Sequence, residues 1–465
     1  MHISTILRDW AYGFELAAVP APVVADARMR LLDILGLCIA AAPTPLGRAV
    51  RDGGAALAGG SAGPSSVIGD GSQMPPACAA MVNATLAHAM DFDDTHLPSL
   101  MHPSAPMAST ALALAQDLGS SGADVLSAII IGNEIACRLC MVAPGAFHGK
   151  GLHPTGVLSP PVVALIAAKM MGLDGDRALN AMGIACSQGS GLLEAYQDGS
   201  WVKTLHPGWG AHGGIAAAYL ARVGFTGPAS GLDGRFGLLR AMLDGPGTEL
   251  DTGSVTDRLG THWESQSSFY KLYPNAQVLL PFVDMAREIR NASGGSKALA
   301  GIRVEIAPRY IPVVCEPRDA KIAPRTNTHA RASLAYAVAV ALVRGSAGID
   351  DYSDDAIGDP EVLRVAALVE HAPLDPVPPG NGFAGALTVA WADGTSKRLV
   401  QVSRRGHPQE PDTPGSVAAK FRDNAGRVLP PQTVEKLYAA AMAVDTHSDI
   451  APLMALTVPT GARRQ

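Results

Sequence analysis

The sequence predicts a predominantly α-helical protein, with a large all-helical domain formed by both chain ends and a smaller inserted α+β lid domain. Three observations carry this expectation. Alanine-rich apolar runs, punctuated by Gly, Pro or Asp, recur from residue 21 to residue 223. Alternating β-branched segments are confined to the stretch after about residue 265. Helical patterns then resume beyond Gly406-His407-Pro408. At 465 residues the chain exceeds the size at which one core stops growing. The changes of pattern divide it into a helical unit, 1–265 with 402–465, and a lid, 266–401.

Taken in order, residues 21–41 start beside Pro22 and carry Val24, Met29, Leu32, Ile34 and Leu35 at helical spacing, while Gly36 permits a close helix contact. Residues 49–74 read as a short helix and a Gly/Ser-rich loop that lacks the lysine and glycine spacing of a phosphate cradle. Helices are predicted at 77–91, 104–118, 122–142, 156–171, 176–188 and 210–223. So many helices, with so few alternating runs, argue against a dinucleotide-binding fold. In the lid, Ile302-Arg303-Val304-Glu305-Ile306 alternates as a strand, as do 385–391 and 397–403, joined through Asp393-Gly394. Residues 333–343 and 360–369 read as helices, and so do 416–422 and 433–443 in the tail.

With 48% hydrophobic and 17% charged residues, the composition is that of a packed soluble enzyme. A net charge of -6 without a basic block offers no footprint for nucleic acid. The chain has no apolar run of membrane-spanning length, and its first eight residues lack the features of a signal peptide, so a cytoplasmic location is expected. Cysteines 38, 78, 137, 140, 186 and 315 sit mostly in apolar runs, and Cys137-Arg138-Leu139-Cys140 has no second ligand pair. They are read as buried free thiols, with neither a zinc nor an iron–sulfur pattern.

Reactive side chains collect in four places. The first is His88-Ala89-Met90-Asp91-Phe92-Asp93-Asp94-Thr95-His96 with His102-Pro103-Ser104. If the helix persists, Asp91, Asp94 and Thr95 share a face and Asp93 points elsewhere. Asp91 would then charge or orient an imidazole while His102 reaches substrate, although the same acids could hold Mg²⁺. The second is Phe147-His148-Gly149-Lys150-Gly151-Leu152-His153-Pro154, where His153 stands at a helix entrance and His148 reads as structural. The third runs from Asp198 to Trp209 and places Lys203 and His206 between two tryptophans. With nine lysines against twenty-seven arginines in the chain, Lys203 reads as a carboxylate clamp. The fourth puts Lys271 among aromatics at the domain seam. Tyr336 is an isolated phenol on an alanine-rich helix, which core packing explains as readily as chemistry. Lysines, imidazoles, a phenol and a carboxylate suit a substrate with two or three carboxylates and an acidic α-hydrogen.

These groups, with Leu32-Asp33-Ile34-Leu35-Gly36, Gly151 to Gly156, Gly224-Phe225-Thr226-Gly227-Pro228, Lys271 to Pro274 and Gly406-His407-Pro408, resemble the MmgE/PrpD family over almost the whole chain. That family includes 2-methylcitrate dehydratase, cis-aconitate decarboxylase and iminodisuccinate epimerase. The resemblance implies a homodimer and a metal- and cofactor-independent site between the domains. It also implies that Asp91, His102, His153, Lys271 and Tyr336 are catalytic, with Thr95 and Lys203 binding substrate, and the residues of the third group add His206 as a substrate-binding candidate. The sequence departs from the family at Ala276 and Leu280, where many members carry a cysteine or histidine and then a histidine. A lyase acting by α-proton transfer on a polycarboxylate such as 2-methylcitrate or cis-aconitate is the leading expectation. An epimerase of an imino- or amino-dicarboxylate such as iminodisuccinate, and a non-catalytic helical interaction protein, are the alternatives.

Overall fold

In the computed structural model, which describes residues 2–244, 249–294, 298–377, 383–402 and 405–459, helices build the first half of the chain. The Ala21–Ala41 helix has the predicted bounds and starts at its proline, whose missing N–H falls where no intrahelical partner exists. Its Gly36 admits the Thr413–Gly426 helix, since a Cβ at Gly36 would stand 3.0 Å from Phe421 Cδ2. The chain ends thus share one core, running from Ile3 to Val255 and resuming from Phe421 to Met454.

The Val202–Arg222 helix begins eight residues before the predicted segment and contains Pro207. Proline inside a helix costs a hydrogen bond and a steric clash, about 3 kcal/mol. Packing outweighs that cost. The helix lies along both Pro154–Met170 and Pro76–His88, and its glycines form the contact surface. A Cβ at Gly208 would fall 2.1 Å from Thr85 Oγ1, and one at Gly214 2.5 Å from Val163 Cβ. Lys203 and His206, one turn apart at its start, therefore take their positions from this close helix packing.

A second core spans Tyr273 to Trp391. Its four-stranded sheet has the order Val369–Pro373, Leu299–Ile306, Gly385–Trp391, Ser396–Gln401, the first pair parallel and the others antiparallel. Ile302, Val304 and Ile306 are buried, as the alternation predicts. The Leu280–Ser293 and Leu334–Arg344 helices cover this face. The helix predicted at 360–369 stops at Ala366, and Val369 opens a strand instead, because parallel pairing with Ile302 gives its backbone a ladder. The strand predicted over 397–403 is seen from Ser396 to Gln401, and its last residue lies outside the described residues. The fold is thus predominantly helical, with helices from both chain ends and a smaller β-containing insert.

Candidate active site

The Pro76–His88 helix stops three residues before Asp91, so Asp91, Asp94 and Thr95 do not share a helical face as the sequence reading supposed. Asp91 has φ 49, the left-handed conformation that Asp tolerates better than most residues, and there the chain reverses. The acids then separate. Asp94 turns into the body, where it accepts from Ser104 Oγ at 2.8 Å and pairs with Arg30. Asp93, expected to point away, accepts from His88 Nδ1 at 2.8 Å in full burial. Lys420 of the C-terminal helix holds the loop from below by donating to Phe92 O at 2.7 Å.

Beyond the loop, Thr95 and His96 pair antiparallel with Phe269 and Ser268. This two-residue ribbon ties the body loop to the approach to the insert. Lys271, two residues past Phe269, is thereby brought onto Asp91 and donates to its backbone O and its Oδ1, both at 2.8 Å. Lys203 donates to the same Oδ1 at 3.2 Å and to His88 Nε2 at 3.1 Å. The two lysines of the expected substrate clamp share one carboxylate oxygen of the protein.

Partner chemistry assigns the tautomers. His88 donates through Nδ1 to Asp93 and accepts at Nε2 from an ammonium, so it is neutral. His102 Nδ1 faces the carbonyl of Asp94 at 3.0 Å and Thr95 Oγ1 at 3.3 Å, so Nδ1 carries the proton. Its Nε2 is left as a lone pair 4.0 Å from Asp91 Oδ1. His153, in the N-cap position of Pro154–Met170, meets His206 Nδ1 at 3.0 Å, and its Nε2 is buried with no partner. The rings of His88, His102 and His153 lie 4.7 to 5.7 Å apart, and His148 approaches His153 at 6.4 Å.

Burial, reinforced by the nearby ammonium groups, pushes His88, His102 and His153 well below the ordinary imidazole value. His148 and His206 are pushed down to about 4 by the same causes. Burial alone would raise Asp91, but Lys203 and Lys271 outweigh it and hold the carboxyl well below its usual range. Burial lowers Lys271 despite Asp91 and Asp93, whereas Lys203 is raised because Asp91 and Tyr196 overcome its burial. The site therefore presents neutral bases, the Asp91 carboxylate, a second carboxylate at Asp93 that burial makes more basic, and two ammonium groups of unequal acidity.

Nitrogen atoms of His88, His102 and His153 lie within 4.8 Å of one another, as do ligand atoms of His88, Asp91, Asp93 and His102. A divalent cation there would stand beside Lys203 and Lys271, both bonded to Asp91 Oδ1, and their charge opposes it.

Of the eight residues singled out from sequence, Asp91, Thr95, His102, His153, Lys203, His206 and Lys271 come together. Tyr336 does not reach the cluster: its hydroxyl donates to Asp351 O at 2.7 Å, with Ala356 O at 3.2 Å, inside the insert's core. Two members, His88 and Asp93, stand in the quoted block with no role assigned from sequence.

A helical body, a β-containing insert and a buried imidazole–carboxylate–ammonium cluster where they meet define an acid–base site of enzyme type. The chain belongs to the MmgE/PrpD family: the family's N-terminal domain matches residues 5–251 and its C-terminal domain residues 273–446. It is 27% identical over 474 residues to a cis-aconitate decarboxylase of Aspergillus terreus, covering 98% of this chain and 95% of that protein. It is 29% identical over 397 residues to the cis-aconitate decarboxylase of Homo sapiens, covering 83% and 80%. A 2-methylcitrate dehydratase of Cupriavidus necator is 26% identical over 414 residues, covering 82% of each. Family membership supports lyase activity on a small polycarboxylate. Among the described residues, no helix is long and apolar enough to cross a membrane.

Proposed function

We propose that this protein is a cofactor-independent lyase that decarboxylates a small unsaturated tricarboxylate of the cis-aconitate kind, working in the cytoplasm as a homodimer of subunits divided into a helical body and a lid. The observation that carries the reading is the pairing of neutral, buried imidazoles with two ammonium groups on Asp91. In the reaction the bond to one carboxylate breaks and carbon dioxide leaves. The electron pair passes into a neighbouring carboxylate as an enediolate, and one proton is then delivered to carbon. Lys203 stabilises the developing charge. Lys271, the more acidic ammonium, is the proton donor, and His102 Nε2 is the base that adjusts the proton inventory. The departing carboxylate lies against uncharged imidazoles, which favours its loss as a neutral molecule.

Dehydration of a hydroxy-tricarboxylate such as 2-methylcitrate is the second reading. It needs a strong acid at the leaving hydroxyl, and the depressed imidazoles are weak candidates for that role. Epimerisation of a dicarboxylate, using His102 and Lys271 on opposite faces of one carbon, is the third.

The test is NMR in D₂O with citrate, 2-methylcitrate, cis-aconitate and iminodisuccinate. Release of carbon dioxide with one deuteron gained at carbon supports decarboxylation. Loss of water, or exchange without loss of mass, reassigns the enzyme to the second or third reading. No exchange and no turnover across the panel would leave a non-catalytic helical protein. Exposed Leu57, Trp201 and Trp209 line an apolar groove of about 480 Å³, which supports assembly of two subunits; sedimentation would show a monomer if that is wrong.

A further inference from the structure

Among the described residues, the buried cations outside the site are engaged. Arg30 pairs with Asp26 and Asp94, Arg138 with Glu134 and several carbonyls, Lys420 with Asp33, and Lys321 with the carbonyls of Val313 and Ala332. Arg331, which is only partly buried, differs from them. It has no ion-pair partner among the described residues, its Nε is sealed from solvent without a hydrogen bond, and Nη1 makes a single long contact to Ala89 O at 3.5 Å. The sealed Nε is a donor left without an acceptor, and the planar fork is shaped for a carboxylate.

Its location explains what the fork awaits. Ala89 lies two residues before Asp91, so the guanidinium reaches from the insert to the rim of the catalytic loop. Arg331 O accepts from Ala276 N at 2.8 Å, which ties it to the segment that leaves Lys271. Lys203 and Lys271 are both spent on Asp91 Oδ1. With the imidazoles neutral, Asp91 and Asp93 face three cations, and the one left over is Arg331.

We propose that Arg331 is the receptor for one carboxylate of the substrate, a specificity-determining residue supplied by the insert, while Lys203 and Lys271 serve Asp91 and the charge that develops during reaction. This rests on the polycarboxylate reading above and names the group that counts the carboxylates. A substrate spans the seam, with one carboxylate in the Arg331 fork and its reacting carbon near His102 and Lys271.

The experiment compares the full-length wild type with Arg331→Ala and Arg331→Lys. Turnover is measured on the polycarboxylate identified by the D₂O panel and on its monoamide, in which the receptor-bound carboxylate has lost its charge. Loss of a charged hydrogen-bonded partner raises KM by roughly 10- to 100-fold. For Arg331→Ala that rise is expected with kcat within a few-fold, loss of discrimination between acid and amide, and recovery of KM when guanidinium ion is added. Arg331→Lys keeps charge without the fork and should recover part of the affinity. Unchanged KM, an equal loss on both substrates, or no guanidinium rescue in a variant of native Tm overturns the proposal. If no polycarboxylate turns over, the lyase reading fails separately. Calorimetry with tricarballylate then decides on Arg331 alone: affinity lost in Arg331→Ala supports the receptor, and affinity unchanged, or no binding to the wild type, refutes it.

Discussion

Replacing Asp91 by Asn removes one charge while keeping the shape of the side chain and its tolerance of the left-handed backbone at φ 49. Two ammonium groups, at 2.8 and 3.2 Å from the same oxygen, then lose their shared counter-charge. Breaking a buried ion pair from one side costs about 3–5 kcal/mol. Lys271 limits the damage, because it is 1% exposed and burial already weakens its hold on its proton. Neutralising a lysine of ordinary pKa at pH 7 costs roughly 4.6 kcal/mol, at about 1.36 kcal/mol per pH unit, so the loss cannot go far above that figure. Solvent reaches 25% of the Asp91 side chain, which moves the expectation to about 3–4 kcal/mol.

The sign of the pH dependence follows. In the variant, folded Lys271 has a depressed pKa while the unfolded lysine keeps its proton up to about pH 10.4. The unfolded state therefore binds more protons across that window, and the variant gains stability relative to wild type as pH rises. Urea unfolding of both proteins at pH 7, 8 and 9, with activity measured alongside, is the assay. A gap of about 3–4 kcal/mol at neutral pH that narrows by roughly 2 kcal/mol at pH 9 is expected. A gap below 1 kcal/mol, or one that stays constant with pH, would refute the account of two lysines held on one carboxylate.

Other expectations can be checked together. Tyr336→Phe should lower stability by about 1–2 kcal/mol, from the lost hydroxyl bonds to Asp351 O and Ala356 O, and leave kcat within a few-fold. A fall in kcat on the scale of about 10²–10⁴, typical of losing an acid or base, at unchanged Tm would return the phenol to the chemistry. The base form of His102 should persist as pH falls through the ordinary imidazole range, so kcat should hold below about pH 6.5. Stability should decline over the same range, because unfolded histidines take up protons that the folded His88, His102, His153 and His206 refuse. A rate that halves at the free imidazole pKa would argue against a desolvated base. Gly208→Ala must displace Thr85 Oγ1 or Met81 O, which a Cβ would approach to 2.1 and 2.4 Å. It should cost about 1–3 kcal/mol as an overpacked core position and reduce activity through Lys203; a Tm within a degree of wild type would show that the helices can separate freely.

Much of the site was legible because its motifs are local. His102 before Pro103, His153 before Pro154 and Lys203 ahead of His206-Pro207 stand out as polar groups in apolar helical surroundings, where burial demands a purpose. The roles within the DFDD block were not legible, because they depend on where a helix stops. Continued helicity would pair Asp91 with Asp94, whereas termination at His88 and reversal at Asp91 send one acid to the lysines and the other to Arg30. Tyr336 shows the opposite limit. A phenol on an apolar helix looks the same in sequence whether it meets substrate or two carbonyls of its own domain.

From sequence alone came the helical body closed by both chain ends, the β-containing insert, the family and the kinds of groups that line the site, since periodicity, composition and short motifs encode all of these within a few neighbouring residues. Tertiary structure alone decided who is paired with whom: that Lys203 and Lys271 share Asp91, that His88 is wired between Asp93 and Lys203, and that Arg331 has no ion-pair partner among the described residues. The partners are 112 and 180 residues apart, and no periodicity reports a distance across such separations. Charge compensation in a buried site is a property of the assembled neighbourhood, so it exists only once the ribbon at Thr95–His96 and the glycine-lined helix contact have brought the groups together.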